Sequence, residues 1–243
     1  MLETIAWISV GIAFTCAIII AFDELRHPQK MWIMNIVWPV TSLYLSGFAL
    51  WAYFSAGRGV TKDAMQAMSK EEMQQHQEKQ KTQARRTPTW KQTALADSHC
   101  GAECVLADIV TEFTVFGAGA TLFGMELYAS YQWDFVAAWA LGIVFQYFTI
   151  KPMRDLSVIG GIWAAIKADT LSILTFQVGM YGWMALMFFK FFPQPHLHPN
   201  EAGYWLMMQI AMICGFITAL PVNRLLVKIG WKEAMGRVPL RVG

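Results

Sequence analysis

The stretch SHCGAECVLADIVTEFTVFGAGATLFGME, running from Ser98 to Glu126, decides how the chain is read. It places an imidazole, two thiols and several carboxylates at the head of an apolar, glycine-rich run long enough to enter a bilayer. At 100° per residue, Asp108 and Glu126 share one azimuth, with Cys104, Thr111, Val115 and Gly119 within about 60° of it and Glu112 about 40° to the other side. Taken as one helix, the stretch has a face that is ionisable at both ends. Carboxylates at membrane depth are costly and mark functional pathways by default. Asp97 or Ser98 is placed to cap the helix, which puts Cys100 in the first turn, where the dipole favours a thiolate. Cys100 and Cys104 are one turn apart, a spacing that lets two side chains hold one metal and that suits a disulfide poorly. His99 points about 100° away from Cys100 and joins the same site only if the first turn is irregular, which Gly101 permits.

The rest of the chain supplies the setting. Its 243 residues are 56% hydrophobic and 14% aromatic with only 15% charged, and the mean hydropathy is +0.37, values that point away from a soluble domain. Apolar runs at about 4 to 22, 32 to 54, 105 to 129, 133 to 150, 168 to 192 and 204 to 222 each approach the ~20 residues that a bilayer core requires. The expected fold is therefore all-α, a polytopic membrane protein of six transmembrane helices. Met-Leu-Glu-Thr lacks the basic start of a removable signal, so the first span is expected to stay. Lysine and arginine crowd the segments between spans two and three and after span six, leaving Arg26, Lys30 and Lys190 on the other side. The positive-inside rule then puts both termini in the cytoplasm of a cell whose inner membrane holds the protein. The implied units are a two-span hairpin at 1–54, a polar cytoplasmic linker at 55–97, a four-span membrane domain at 98–236 and a basic tail at 237–243.

Along the chain, Pro28 breaks a loop after the first span, and His27 there reads as a solvated loop residue. The linker is rich in Met, Gln, Glu and Lys; Met65, Met68 and His76 form either an amphipathic surface helix or a metal-collecting arm. In the third span the small residues of Gly117-Ala-Gly-Ala-Thr-Leu-Phe-Gly124 predict close helix packing. Asp134 falls in an outer turn. On the fifth span Asp169, Ile173, Gln177, Met180, Met184 and Met187 follow offsets that keep one face, with Thr175, Gly179 and Gly182 as a packing seam. His196 and His198 alternate in a proline-stiffened outer connection and can share a metal there. Met207, Met208 and Met212 open the sixth span at the level of Met184 and Met187. Cys16 and Cys214 read as small buried hydrophobes.

Several of these motifs together, His99-Cys100-x-x-x-Cys104-x-x-x-Asp108, Lys167-Ala-Asp169-Thr170-Leu-Ser172, Gln177-Val-Gly179-Met180-Tyr181-Gly182-Trp183-Met184 and Met208-Gln-Ile-Ala-Met212 followed by Pro221-Val-Asn223-Arg224, resemble the bacterial membrane family known as domain of unknown function 4396 over about residues 95–236. The resemblance implies a membrane domain with a thiol-containing motif at its start and carries no established activity.

Function is therefore expected from the residues themselves. The leading expectation is binding, and with it translocation, of a soft metal cation. Cu(I) suits the donors best and Zn is the alternative: Cys100, Cys104, His99, Met180, Met184, Met187, Met208, Met212, His196 and His198 supply thiolate, thioether and imidazole. Asp108, Glu112, Glu126, Asp169 and Gln177 form the polar pathway, with Asp108 or Glu112 expected near Asp169 or Gln177. The alternatives are a membrane redox or metal-assembly factor using the Cys100/Cys104 pair, and a scaffold subunit without catalysis. The expected partners are the lipid bilayer, a metal ion or metallochaperone and further copies of the chain in an oligomer, without nucleic acid.

Overall fold

The computed structural model describes residues 1–29, 31–59, 89–154 and 156–232; Met65, Met68 and His76 and the tail at 237–243 lie outside the described residues. Among the described residues six α-helices follow in order: α1 (Leu2–Arg26), α2 (Met34–Ala52), α3 (Trp90–Ala118), α4 (Glu126–Arg154), α5 (Val158–Leu186) and α6 (Ala202–Lys228). π-Helical turns extend α2 over Tyr53–Gly57 and α5 over Met187–Phe191. No strand occurs among the described residues beyond one isolated bridge between Leu122 and Met125. Among the described residues five segments are long and apolar enough to cross a membrane: Leu2–Arg26, Met34–Gly57, Glu126–Ile150, Val158–Phe191 and Ala202–Lys228. The described residues thus form the all-helical body of a membrane protein.

The 29 residues of α3 reach about 43 Å at 1.5 Å per residue, yet α3 is too acidic to face lipid. Its first half lies inside the bundle and its second half turns one face inward, burying Asp97, Cys100, Glu103, Cys104, Asp108, Thr111, Glu112 and Val115 while Val110 and Phe113 stay exposed. The other helices carry most of the lipid-facing apolar surface, with Trp7, Ile12, Phe22 and Val178 among their exposed side chains.

Contacts near the helix ends fix the direction of each helix. The amide of Gly203 donates to Glu3 Oε1 at 3.1 Å and Ser9 Oγ donates to Gln209 Oε1 at 2.7 Å, so α1 and α6 start at the same end of the bundle. Phe116 packs against His198 there. At the other end the Arg224 guanidinium lies 3.8 Å above the Trp90 ring, so α3 starts where α6 finishes. Residue 1 and residue 232 consequently stand at opposite ends of the bundle, called below the Met1 end and the Lys232 end.

Helix α2 departs furthest from expectation. The run at 32–54 was expected to make one straight span, but Ser46 leaves helical geometry (φ 45°, ψ −124°) and the chain turns back on itself. Trp38 then meets Tyr53 edge to face at 5.5 Å, and a Cβ on Gly57 would overlap the Trp38 indole. Gln29 Nε2 donates to Gly57 O at 2.9 Å, returning the end of α2 to its own start. Each limb has about 12 residues, roughly 18 Å, too short to cross. Such a break is tolerated at depth when protein satisfies the freed carbonyls, and Gln209 Nε2 from α6 donates to Leu43 O at 2.8 Å. His27, expected in a loop at the far side, instead lies at the Lys232 end, where Arg58 clamps Asp23 at 2.6 Å.

Two further boundaries move. The third helix begins at Trp90, capped by Thr89 and Gln92 in a reciprocal capping box, so neither Asp97 nor Ser98 caps it. It ends at Ala118, where Gly119 takes the left-handed conformation (φ 62°). Glu126 therefore opens α4 and does not share a helix with Asp108. The glycines of 117–124 are turn and cap residues with open space around them, not a packing seam. The seam on α5 forms at Gly179, where a Cβ would strike Thr218 and the Cys214 carbonyl; Thr218 Oγ1 also donates to Thr175 O at 2.9 Å. Gly182 faces open space.

Candidate metal centre

Three side chains meet in the half of the bundle nearer the Lys232 end. Sγ of Cys100 and one oxygen each from Glu103 and Asp169 lie within 4.8 Å of one another. Cys100 and Glu103 are neighbours at i, i+3 on α3, and Asp169 comes from the middle of α5. All three are fully buried. Helix α4 makes room for the third side chain: a Cβ at Gly142 would collide with the Asp169 carboxylate. No hydroxyl, amide or ammonium donates to either oxygen of Glu103 or of Asp169; the two carboxylates lie in hydrogen-bonding range of each other, with the Cys100 thiol beside Glu103. Two acceptors that face each other without a donor require a proton or a cation between them.

A second layer surrounds this group. Lys232 follows the left-handed Gly230 (φ 75°) and folds back into the bundle. Its Nζ donates to Ser172 Oγ at 2.8 Å and to Asn223 Oδ1 at 2.9 Å. Ser172 Oγ donates its own hydrogen to Asn223 Oδ1 at 2.7 Å. The contact of Ser172 with Cys100 Sγ, at 3.1 Å, is therefore donated by the thiol. Asn223 Nδ2 in turn donates to Asp97 Oδ1. The ammonium of Lys232 lies within electrostatic reach of Asp97, Cys100, Glu103 and Asp169.

The expected site residues separate accordingly. Cys100 and Asp169 come together, and Glu103 and Lys232, which the sequence reading did not single out, complete the group. Cys104 is buried one turn further along α3, outside the three-residue group, and all four cysteines are free. Cys100 sits in the third turn of α3, so the first-turn argument for its thiolate lapses. His99 stays on a regular helix and points to α2, its Nε2 3.0 Å from Met34 Sδ. Asp108 and Glu112 do not pair with Asp169 or Gln177; they meet Asp134, which lies within α4 and is buried. Gln177 is buried with no partner for its amide. His196 stacks on Phe188 at 3.7 Å, with its Nδ1 2.9 Å from Phe192 O. His198 lies 3.8 Å from Glu126, so the two histidines have different neighbours. Met180, Met184, Met187, Met207, Met208 and Met212 are all buried in one apolar core.

A bundle of helices long and apolar enough to cross a membrane, with ionisable side chains buried among them, defines a polytopic membrane protein. Residues 89–232 match the family described as domain of unknown function (DUF4396), and the chain belongs to that family. No curated protein and no solved structure matches the chain.

Proposed function

We propose that the protein binds, and moves across the inner membrane, a transition-metal dication of the zinc class held by Cys100, Glu103 and Asp169. The observation that carries this reading is the convergence of three buried donors whose two carboxylates lack any hydrogen-bond donor. One thiolate with two carboxylates is a borderline set: softer than the all-oxygen shells of magnesium and calcium, harder than the sulfur-rich shells that select Cu(I). Three protein ligands leave a position open, as a site that must release its ion requires. Charge also balances. A thiolate and two carboxylates around a dication leave one negative charge, which the Lys232 ammonium offsets.

A second reading, Cu(I), is favoured by the six buried methionines on α5 and α6, whose thioethers suit that ion. Anaerobic titration with each metal separates the two. Zinc bound at one equivalent per chain supports the first reading, and copper bound in a form insensitive to Asp169→Asn supports the second.

The site geometry gives a sharper variant. Gly142→Ala drives a methyl group into the Asp169 carboxylate and is expected to weaken zinc binding at least about tenfold, as disturbing a ligand's support does. Gly182→Ala, facing open space, is the control and should bind as wild type.

For topology, Arg26, Arg58, Lys91, Arg224, Lys228 and Lys232 stand at the Lys232 end while Lys190 stands at the Met1 end. The positive-inside rule makes the Lys232 end cytoplasmic. We place α1 and α3–α6 as five crossings, α2 as a re-entrant hairpin, and residue 1 outside, in place of six spans with both termini inside. An impermeant maleimide should label Thr4→Cys in intact cells and Pro28→Cys only after permeabilisation; the reverse pattern would restore the straight-span topology.

A further inference from the structure

A second buried group lies on the same face of α3, nearer the Met1 end. Glu112 lies in hydrogen-bonding range of Asp134 and Tyr204, and Ser130 Oγ donates to it at 2.8 Å. Thr111 Oγ1 donates to Asp134 Oδ1. Asp108, fully buried and without a partner for either oxygen, faces the pair. Two carboxylates in hydrogen-bonding range of each other hold a proton between them, since neither has a hydrogen of its own when ionised. No lysine or arginine among the described residues pairs with the group. The other ionisable side chains that face it are Cys104 one turn away on α3, Tyr131 from α4, Tyr181 from α5 and Tyr204 from α6, with Glu126 beyond Glu112. Glu126 and His198 are partly exposed and form a pair at the Met1 end.

We propose that Asp108, Glu112 and Asp134 form a proton-binding site that exchanges protons with the Met1 end through Glu126 and His198 and releases them when the inner site takes up its cation. The coupling clause rests on the metal reading above; the proton site does not. Nine positions separate Glu103 from Glu112, a rise of about 13.5 Å along α3. Two unit charges at that distance, at an effective dielectric constant near 20, shift each other's occupancy by on the order of tenfold. A dication that enters while the inner site still holds a proton raises its net charge and thereby favours loss of a proton from the outer one. The reciprocal also holds, because linkage is symmetric: a proton on the outer group weakens cation binding at the inner site.

The test uses the full-length protein in detergent and has two arms. In the metal-free protein at neutral pH, infrared spectroscopy should show protonated-carboxyl absorption that moves in D2O, of which one component is lost in Glu112→Gln and in Asp134→Asn while that of Glu103 and Asp169 remains. Glu112→Gln keeps the side-chain shape, so it remains informative if Asp134→Asn fails to fold. In the second arm, zinc is added to weakly buffered protein and released protons are counted with a pH dye. Wild type should release about one proton more per zinc than Glu112→Gln at equal zinc stoichiometry. A band unchanged in both variants overturns the proton site. An intact band with equal proton release overturns the coupling alone. A variant-sensitive band in protein that binds no zinc supports the proton site and removes the metal reading.

Discussion

Asp169→Asn is expected to abolish zinc binding at the inner site, weakening it on the order of 100-fold or more, because a neutral amide replaces one of three charged ligands. The same change should make the metal-free protein more stable. The wild-type site sets the Glu103 and Asp169 carboxylates against each other without a donor, and an asparagine amide supplies one. In thermal unfolding of solubilised protein, wild type should therefore gain from zinc, by about 2.7 kcal/mol at 100 times Kd, while the variant should start higher and gain nothing. A variant that is less stable without metal yet still zinc-responsive would mean that Asp169 packs and does not ligate.

The second large effect belongs to Lys232. Removing one partner from a buried charged group costs about 3–5 kcal/mol, and Lys232 is 2% exposed with its ammonium hydrogen-bonded to Ser172 and Asn223. Lys232→Met should lower the stability of the metal-free protein by that amount. Adding Asp97→Asn removes one of the carboxylates that Lys232 faces. About half of the lost stability should return in the double variant. Additive losses would show that Lys232 anchors the end of α6 by packing and not by charge.

The inward face of α3 was readable from spacing alone. Cys100, Cys104, Asp108 and Thr111 fall on one stripe, and the structure buries each of them. What periodicity does not supply is the partner across the helix interface. Hydropathy alone starts the fifth span near residue 168 and so puts Asp169 level with Asp108; α5 begins at Val158, which brings Asp169 opposite Glu103 instead. Glu103 was overlooked because it lies 100° from Cys104, although its i, i+3 relation to Cys100 is a usable signal. Asp134 was lost by carrying the third span through Gly119 and Gly124, whose positive φ values end it. Ser130 and Asp134 at i, i+4 on a helix begun at Glu126 show the outer group directly.

The fold-back of α2 was the hardest feature to see. A hydropathy window registers only the total length of Met34–Gly57, and the Ser46-Gly47 pair is a weak break signal in a run that also contains Pro39 within its first limb. The charge distribution held a clue. The straight-span topology left Arg26 and Lys30 outside against the positive-inside rule, and the fold-back places Arg26 at the Lys232 end with the other basic residues. Lys232 was read as one more basic tail residue; its insertion depends on Gly230 turning the chain after α6, a tertiary event that no charge count records.

X-ray absorption at the zinc edge of anaerobically purified full-length protein tests the central claim most directly. The account predicts one sulfur at about 2.3 Å and oxygens at about 2.0–2.2 Å, with the sulfur lost in Cys100→Ser and one oxygen changed in Asp169→Asn. Protein that stays metal-free in the presence of zinc, or a shell without sulfur that neither substitution alters, would contradict it.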